Sequence, residues 1–272
     1  KNFCWSGPVN NWRYAFLACT LVAVLIWLLL FFWQRNEPED VGLEKIIETE
    51  CDETRPVRAS TEDNITLRQY FVLLANPVIL SMGTCYFCLK FIRYSLDTWT
   101  PTFLQVLHFD VGKSAYYSTI FDFVGIPGVL FAGWALDHWF KGKWAPLCLM
   151  MAVGMVAGYI CVIIFGGNPY MFAICCGLVG FMLYGPDSVV NGAAAMHVAG
   201  EKNTTAVTGI INGMGSLGPV LQALIIGRLL EGDNGMRNAN VLGLCVSVAF
   251  VFLMLIVMMQ IKRAEKRNLA CA

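Results

Sequence analysis

Apolar residues in this chain come in long unbroken runs. They do not alternate with polar ones. No charged residue interrupts Tyr14–Gln34 (21 residues), Trp144–Pro186 (43), Asn203–Gly227 (25) or Asn238–Ile261 (24). A helix crossing the hydrocarbon core of a bilayer needs about 20 mostly apolar residues, so these runs read as spans and the longest as two. The short alternating segments of a transmembrane barrel are not found. The pattern predicts an all-α fold, a polytopic membrane helix bundle of seven spans.

The first span is expected over 12–33. The second starts at Asn76-Pro77, an N-cap followed by a first-turn proline, and ends near Pro101. The third covers 114–136. The fourth and fifth, 145–165 and 170–190, are parted by Gly166-Gly167-Asn168-Pro169. The sixth covers 204–230 and the seventh 239–261. Residues 34–68 differ in kind: Glu37, Glu39, Asp40, Glu44, Glu48, Glu50, Asp52 and Glu53 gather there, as in a solvated linker. Leu67, Tyr70, Phe71 and Leu74 then follow at helical spacing and predict a short helix lying on the membrane interface.

Composition agrees with this assignment. Of 272 residues 57% are hydrophobic and 14% charged, against about half and a quarter in soluble domains. Nineteen basic residues balance nineteen acidic ones, which gives no electrostatic reason to expect nucleic acid as a partner. The eleven cysteines are an odd number and lie mostly inside apolar runs, so a disulfide framework is not expected, and Cys85-x-x-Cys88 reads as packing. No metal or cofactor motif stands out. Placing the acidic linker inside puts twelve Lys and Arg on that side and five on the other, which predicts a cytoplasmic linker and C-terminus. The sequons at Asn64 and Asn203 would then face the cytoplasm. The sequence opens at Lys1 without a basic leader, and is expected to be a fragment.

Five ionisable residues remain inside spans: Lys90, Arg93, Asp97, Asp122 and Asp187. Each costs about 3 kcal/mol or more in hydrocarbon, so each is expected to face a cavity or a partner. Tyr86, Lys90, Arg93 and Asp97 fall at i, i+4, i+7 and i+11, one stripe on one helical face. Two cations one turn apart suit a multivalent anion, and the guanidinium can grip phosphate or carboxylate with two hydrogen bonds. The alternative is that Arg93 and Asp97 neutralise each other while Lys90 snorkels. Tyr184, Asp187 and Asn191 repeat the stripe on the fifth span, Tyr184 as a candidate hydroxyl donor to a ligand or as a packed aromatic. Asp122 is expected to pair with a basic residue rather than bind substrate, and because no spare intramembrane cation remains here, that partner is expected outside this chain. Glycine and proline at 125–128, 185–186 and 209–219 predict kinked helices around an aqueous path. Gly133, Asp137, Lys141 and Lys143 form a tight turn whose acid braces a helix end and whose cations meet lipid head groups.

That turn resembles the loop signature of the major facilitator superfamily. Five longer stretches are similar to its organophosphate/inorganic phosphate antiporter branch: 35–43, Phe91-Ile-Arg93-Tyr-Ser-Leu-Asp97-Thr-Trp99-Thr-Pro101, Phe121-Asp122-Phe-Val-Gly125-Ile-Pro127-Gly128, Gly133–Asp137 and Tyr184-Gly185-Pro186. Residues 208–218 resemble the eukaryotic sugar-phosphate exchangers of that branch.

The resemblance implies that residues 1–33 are the last helix of an N-terminal half and 34–75 a central cytoplasmic linker. Residues 76–262 would be the C-terminal six-helix half and 263–272 a cytoplasmic tail. The spans would then be helices six to twelve of twelve. It implies exchange of an organic phosphate, such as a sugar or glycerol phosphate, for inorganic phosphate by rocker-switch alternating access. The partners would be the lipid bilayer and the missing N-terminal helices, in a plasma, inner or endoplasmic reticulum membrane. Arg93 matches the family's phosphate-binding arginine, Tyr184 its cavity tyrosine, and Asp97 and Asp122 its gating carboxylates. Lys90 stands where glycerol-phosphate transporters have tyrosine, and Asp187 where a neutral residue is usual. Asp187 is expected to repel phosphate or to pair with Lys90. A proton-coupled facilitator for a sugar or organic ion is the main alternative, and a heptahelical receptor a further one. Enzyme chemistry finds no support, since His108, His138 and His197 are scattered.

Overall fold

The computed structural model describes residues 11–35, Gly42, 67–200 and 203–271. The acidic linker residues, the sequon at Asn64 and Lys202 lie outside them. The chain falls into two units, residues 1–61 and 62–272. The first holds α1 (Asn11–Trp33), apolar on every face and exposed wherever its side chains are described. Its length and uniform apolarity are those of a membrane-crossing helix.

The second unit is a helix bundle. Its elements are α2 (Leu67–Leu74), α3 (Pro77–Val106), α4 (Val111–Ser118), α5 (Ile120–His138), α6 (Trp144–Phe165), α7 (Pro169–Val189), a π-turn (Val190–Ala194), α8 (Ala195–Ala199), α9 (Thr204–Gly215), α10 (Leu217–Leu230) and α11 (Gly235–Cys271). Six described stretches, α1 included, are long and apolar enough to cross a bilayer. The thirty-residue α3 is long enough too, but Lys90, Arg93 and Asp97 spoil its composition. We read it as the seventh crossing, because Lys90 and Arg93 turn into the bundle.

Capping explains where the helices begin. The Asn76 side chain accepts from Val78 N at 2.9 Å and Pro77 fills the first turn, so α3 starts where the sequence predicts. Asn168 and Pro169 do the same for α7. Other ends differ from expectation. α3 continues through Pro101 to Val106, because loss of one N–H is tolerated when the rest of the helix is packed. α11 also runs well past Ile261, so the expected tail is helical as far as Cys271.

The kinks expected at 125–128 and 185–186 are not interruptions. α5 runs unbroken through Pro127 and α7 through Pro186. The third span is broken at Thr119 and the fifth by the π-turn, while the sixth breaks at Ser216, inside the expected 209–219. Glycines serve close approach. A Cβ on Gly180 would sit 2.6 Å from the Phe121 carbonyl, and one on Gly125 would meet the Tyr184 ring at 2.6 Å. Lipid tails are as apolar as leucine, so helices associate in a bilayer through such close packing and not through hydrophobic drive.

α3 packs against α4, α7, α9, α10 and α11, which places it centrally in its unit. Its buried face carries Ile79, Met82, Leu89, Ile92 and Leu96. α5 lies on α7, and α6 on α7 and α11. Aromatic clusters mark two ends of the bundle. Phe109, Tyr117 and Tyr170 join α7's start to the loop before α4, while Phe131, Trp134 and Trp139 surround the end of α5. Such groups favour the depth where hydrocarbon gives way to head groups.

Candidate functional site

Lys90 and Arg93 are the fourteenth and seventeenth of the thirty residues of α3, near its middle. Neither reaches for a membrane surface. Lys90 Nζ donates to Asn212 Oδ1 and, at 3.1 Å, to Ser216 Oγ, and it lies 5.2 Å from the centre of the Tyr86 ring. Asn212 and Ser216 end α9 where the sixth span breaks, so the ammonium sits at the carbonyl end of a half-helix, where positive charge is favoured. Close approach permits this. A Cβ on Gly215 would collide with the Tyr86 ring and come within 3.2 Å of the Lys90 chain. One on Gly218 would lie 2.7 Å from the Phe87 carbonyl.

Arg93 Nη1 donates to Asp187 Oδ2 at 2.6 Å, and its guanidinium lies 4.6 Å from the centre of the Tyr184 ring. The Tyr184 hydroxyl in turn donates to Asp122 Oδ1. The second Asp187 oxygen, Oδ1, is buried without a hydrogen-bond partner among the described residues. α3, α5 and α7 are thus joined by one polar chain, Asp187–Arg93–Tyr184–Asp122.

Several expectations are corrected by this geometry. Asp187 pairs with Arg93, not with Lys90, because α7 meets α3 at the arginine while Lys90 faces α9 and α10. Arg93 and Asp97 do not neutralise each other: Asp97 is exposed and has no ion pair among the described residues. Among the described residues the hydrogen-bond partner of Asp122 is the Tyr184 hydroxyl. Asn191 lies in the π-turn, where its carbonyl accepts from Thr208 Oγ1 at 3.3 Å and its side-chain oxygen is buried without a partner among the described residues. The turn residues Gly133, Asp137, Lys141 and Lys143 lie apart from this site, at the end of α5.

Asn212 and Ser216 were not anticipated individually. Their signal is a polar pair at i, i+4 in a charge-free span broken by glycines. Gln222 was missed too; it is buried and accepts from Trp99 Nε1 at 3.0 Å. The face carrying the site is open. Asp97 and Asp122 are exposed, Lys90, Arg93 and Tyr184 are half-buried, and a Cβ on Gly209 or Gly213 would meet nothing within 4 Å.

Apolar helices whose polar groups converge on one open face make a polytopic membrane helix bundle. The Major Facilitator Superfamily profile matches residues 5–223, and the chain belongs to that family. It is 26% identical over 215 residues to a glycerol-3-phosphate transporter of Bacillus subtilis, covering 76% of this chain and 48% of that protein. It is 24% identical over 226 residues to the membrane sensor protein UhpC of Escherichia coli, covering 81% and 51%. With sugar phosphate exchanger 3 of Bos taurus the identity is 25% over 251 residues, covering 79% and 49%. These relatives belong to the organophosphate branch that the sequence resembles. The chain spans about half the length of the curated relatives it matches.

Proposed function

We propose that this chain is the C-terminal portion of a transporter that exchanges an organic phosphate, a sugar or glycerol phosphate, for inorganic phosphate. One observation carries the reading: two cations near the middle of a membrane helix turn into the bundle instead of snorkelling. Asp187 offsets one of them, and keeping the second there is costly unless an anionic guest offsets the cost. The names of the relatives support the substrate class. The open face supports a second wall supplied by the rest of the protein, and the matched half-length agrees with it.

In this reading residues 1–33 end the first half, 34–75 are the cytoplasmic linker, 76–262 form the second half, and 263–272 continue α11 on the cytoplasmic side. Lys90 and Arg93 hold the phosphate, with Tyr86, Tyr184 and Asn191 around it. Among the described residues the hydrogen-bond partners of Lys90 are neutral, and it makes no ion pair. Arg93 is already engaged, so an arriving phosphate competes with Asp187 for the guanidinium. Asp97 and Asp122 serve as gating carboxylates toward the missing half. The two halves rock about this site, and binding energy offsets the contacts that open.

Arg93→Ala in the full-length protein reconstituted into liposomes is expected to abolish phosphate exchange while leaving membrane insertion intact. Undiminished exchange refutes the site. A second reading, a proton-coupled facilitator for a sugar or organic ion, is favoured by Asp187, a buried carboxylate that already compensates one of the two cations. A proton uncoupler separates the two readings: exchange driven by phosphate is insensitive to it, and proton-coupled uptake collapses.

A further inference from the structure

A second basic cluster lies away from the transport face. A cavity of about 380 Å³ is lined by Lys141, Lys143, His197 and Lys262 above an apolar floor that includes Trp144 and Met258. Three separate parts of the chain build it: the α5–α6 turn, α8 and α11. The turn is held rigidly. Lys141 has φ +49° and Gly142 φ +79°, both left-handed, and Gly142 N donates to Leu136 O and Lys143 N to Phe140 O, each at 2.9 Å. A lysine rarely adopts that conformation, so the backbone spends strain energy to present two ammonium groups one residue apart.

None of the three lysines has a carboxylate partner among the described residues, and Asp137, at the end of the preceding helix, is not part of the lining. Trp134 and Trp139 pack together beside the turn, and tryptophan is enriched where hydrocarbon meets head groups. The cavity therefore combines unpaired positive charge at its rim, an apolar floor and a place at the membrane boundary.

We propose that this cavity binds the head group of an anionic phospholipid. Its phosphate sits among Lys141, Lys143 and Lys262, its glycerol end lies on Trp144 and Met258, and His197 closes the rim. Basic pockets between helices at the cytoplasmic surface suit such head groups, and each cation there contributes about fivefold in affinity. One bound lipid bridges the turn, α8 and α11, and so ties together parts of the bundle that share few direct contacts at this end. The inference needs only that the chain spans a membrane and does not rest on the transport reading.

Native mass spectrometry of the full-length protein, titrated with phosphatidylglycerol or phosphatidylcholine, tests it. The unmodified protein is expected to retain one phosphatidylglycerol at concentrations at least tenfold below those needed for phosphatidylcholine. Replacing Lys141, Lys143 and Lys262 together with Gln removes that preference, while Arg237→Gln in a cavity elsewhere in the bundle leaves it unchanged. If the triple variant fails to fold, Lys262→Gln alone should lower retention about fivefold and Lys262→Arg should restore it. Equal retention of the two lipids, or a preference that survives the lysine substitutions, overturns the proposal. Displacement of the lipid by millimolar inorganic phosphate also overturns it, since the cavity would then be reading free phosphate.

Discussion

Asp187→Asn gives the sharpest test of how the central site is balanced. The substitution removes one negative charge at nearly constant volume and leaves an amide oxygen beside Arg93. In the empty site Arg93 Nη1 lies 2.6 Å from Asp187 Oδ2. Unit charges with centres about 4 Å apart attract by about 4 kcal/mol at an effective dielectric constant of 20. The amide retains a hydrogen bond to a charged donor, worth about 1.5–3 kcal/mol. The difference, about 1–2.5 kcal/mol, is what an arriving phosphate no longer has to displace. Phosphate affinity should therefore rise roughly 5- to 70-fold. Isothermal titration of the purified full-length protein with phosphate, at two ionic strengths, reads it directly. An unchanged or weaker Kd refutes the claim that Asp187 competes with the guest. A thermal unfolding scan run in parallel reports any separate cost of leaving Arg93 unpaired, expected to be modest because the guanidinium is partly solvated.

Other expectations follow from the packing around that site. Gly218→Ala places a methyl group 2.7 Å from the Phe87 carbonyl and should cost about 1–3 kcal/mol, read as a lower unfolding temperature. Tyr184→Phe keeps a ring over Arg93 but leaves Asp122 without its donor. Exchange should slow while phosphate affinity falls far less than in Arg93→Ala; an equal loss of affinity would place the hydroxyl on the ligand instead. Asn76→Ala removes the cap of α3 and should lower stability by about 1 kcal/mol, measured by denaturant or thermal unfolding.

How much of this could be read from sequence depends on the residue. Charge-free runs locate helices because lipid admits no unpaired backbone, so the spans of α6 and of α9 with α10 agree with expectation to within a residue or two. The stripe Tyr86, Lys90, Arg93, Asp97 was legible because helical periodicity fixes which side chains share a face. Which neighbour each would meet was not legible. Whether Asp187 meets Arg93 or Lys90 depends on the rotation and height of α7 against α3, which no local pattern encodes. The break at Ser216 falls inside the expected 209–219, but not every interruption was legible. Pro127 and Pro186 mark backbone that neighbouring helices can support, whereas the interruption at Thr119 has no glycine or proline to announce it.

The gap at Ser216 has one further consequence. α9 and α10 are two short rods laid nearly end to end, and the amine that clasps their joint is the same one proposed to hold the cargo. A hand cannot grip a rail and a parcel at once: a guest that draws the amine away unfastens the joint. Occupancy would then be felt as slack in this one seam, so that loading the carrier also prepares it to bend.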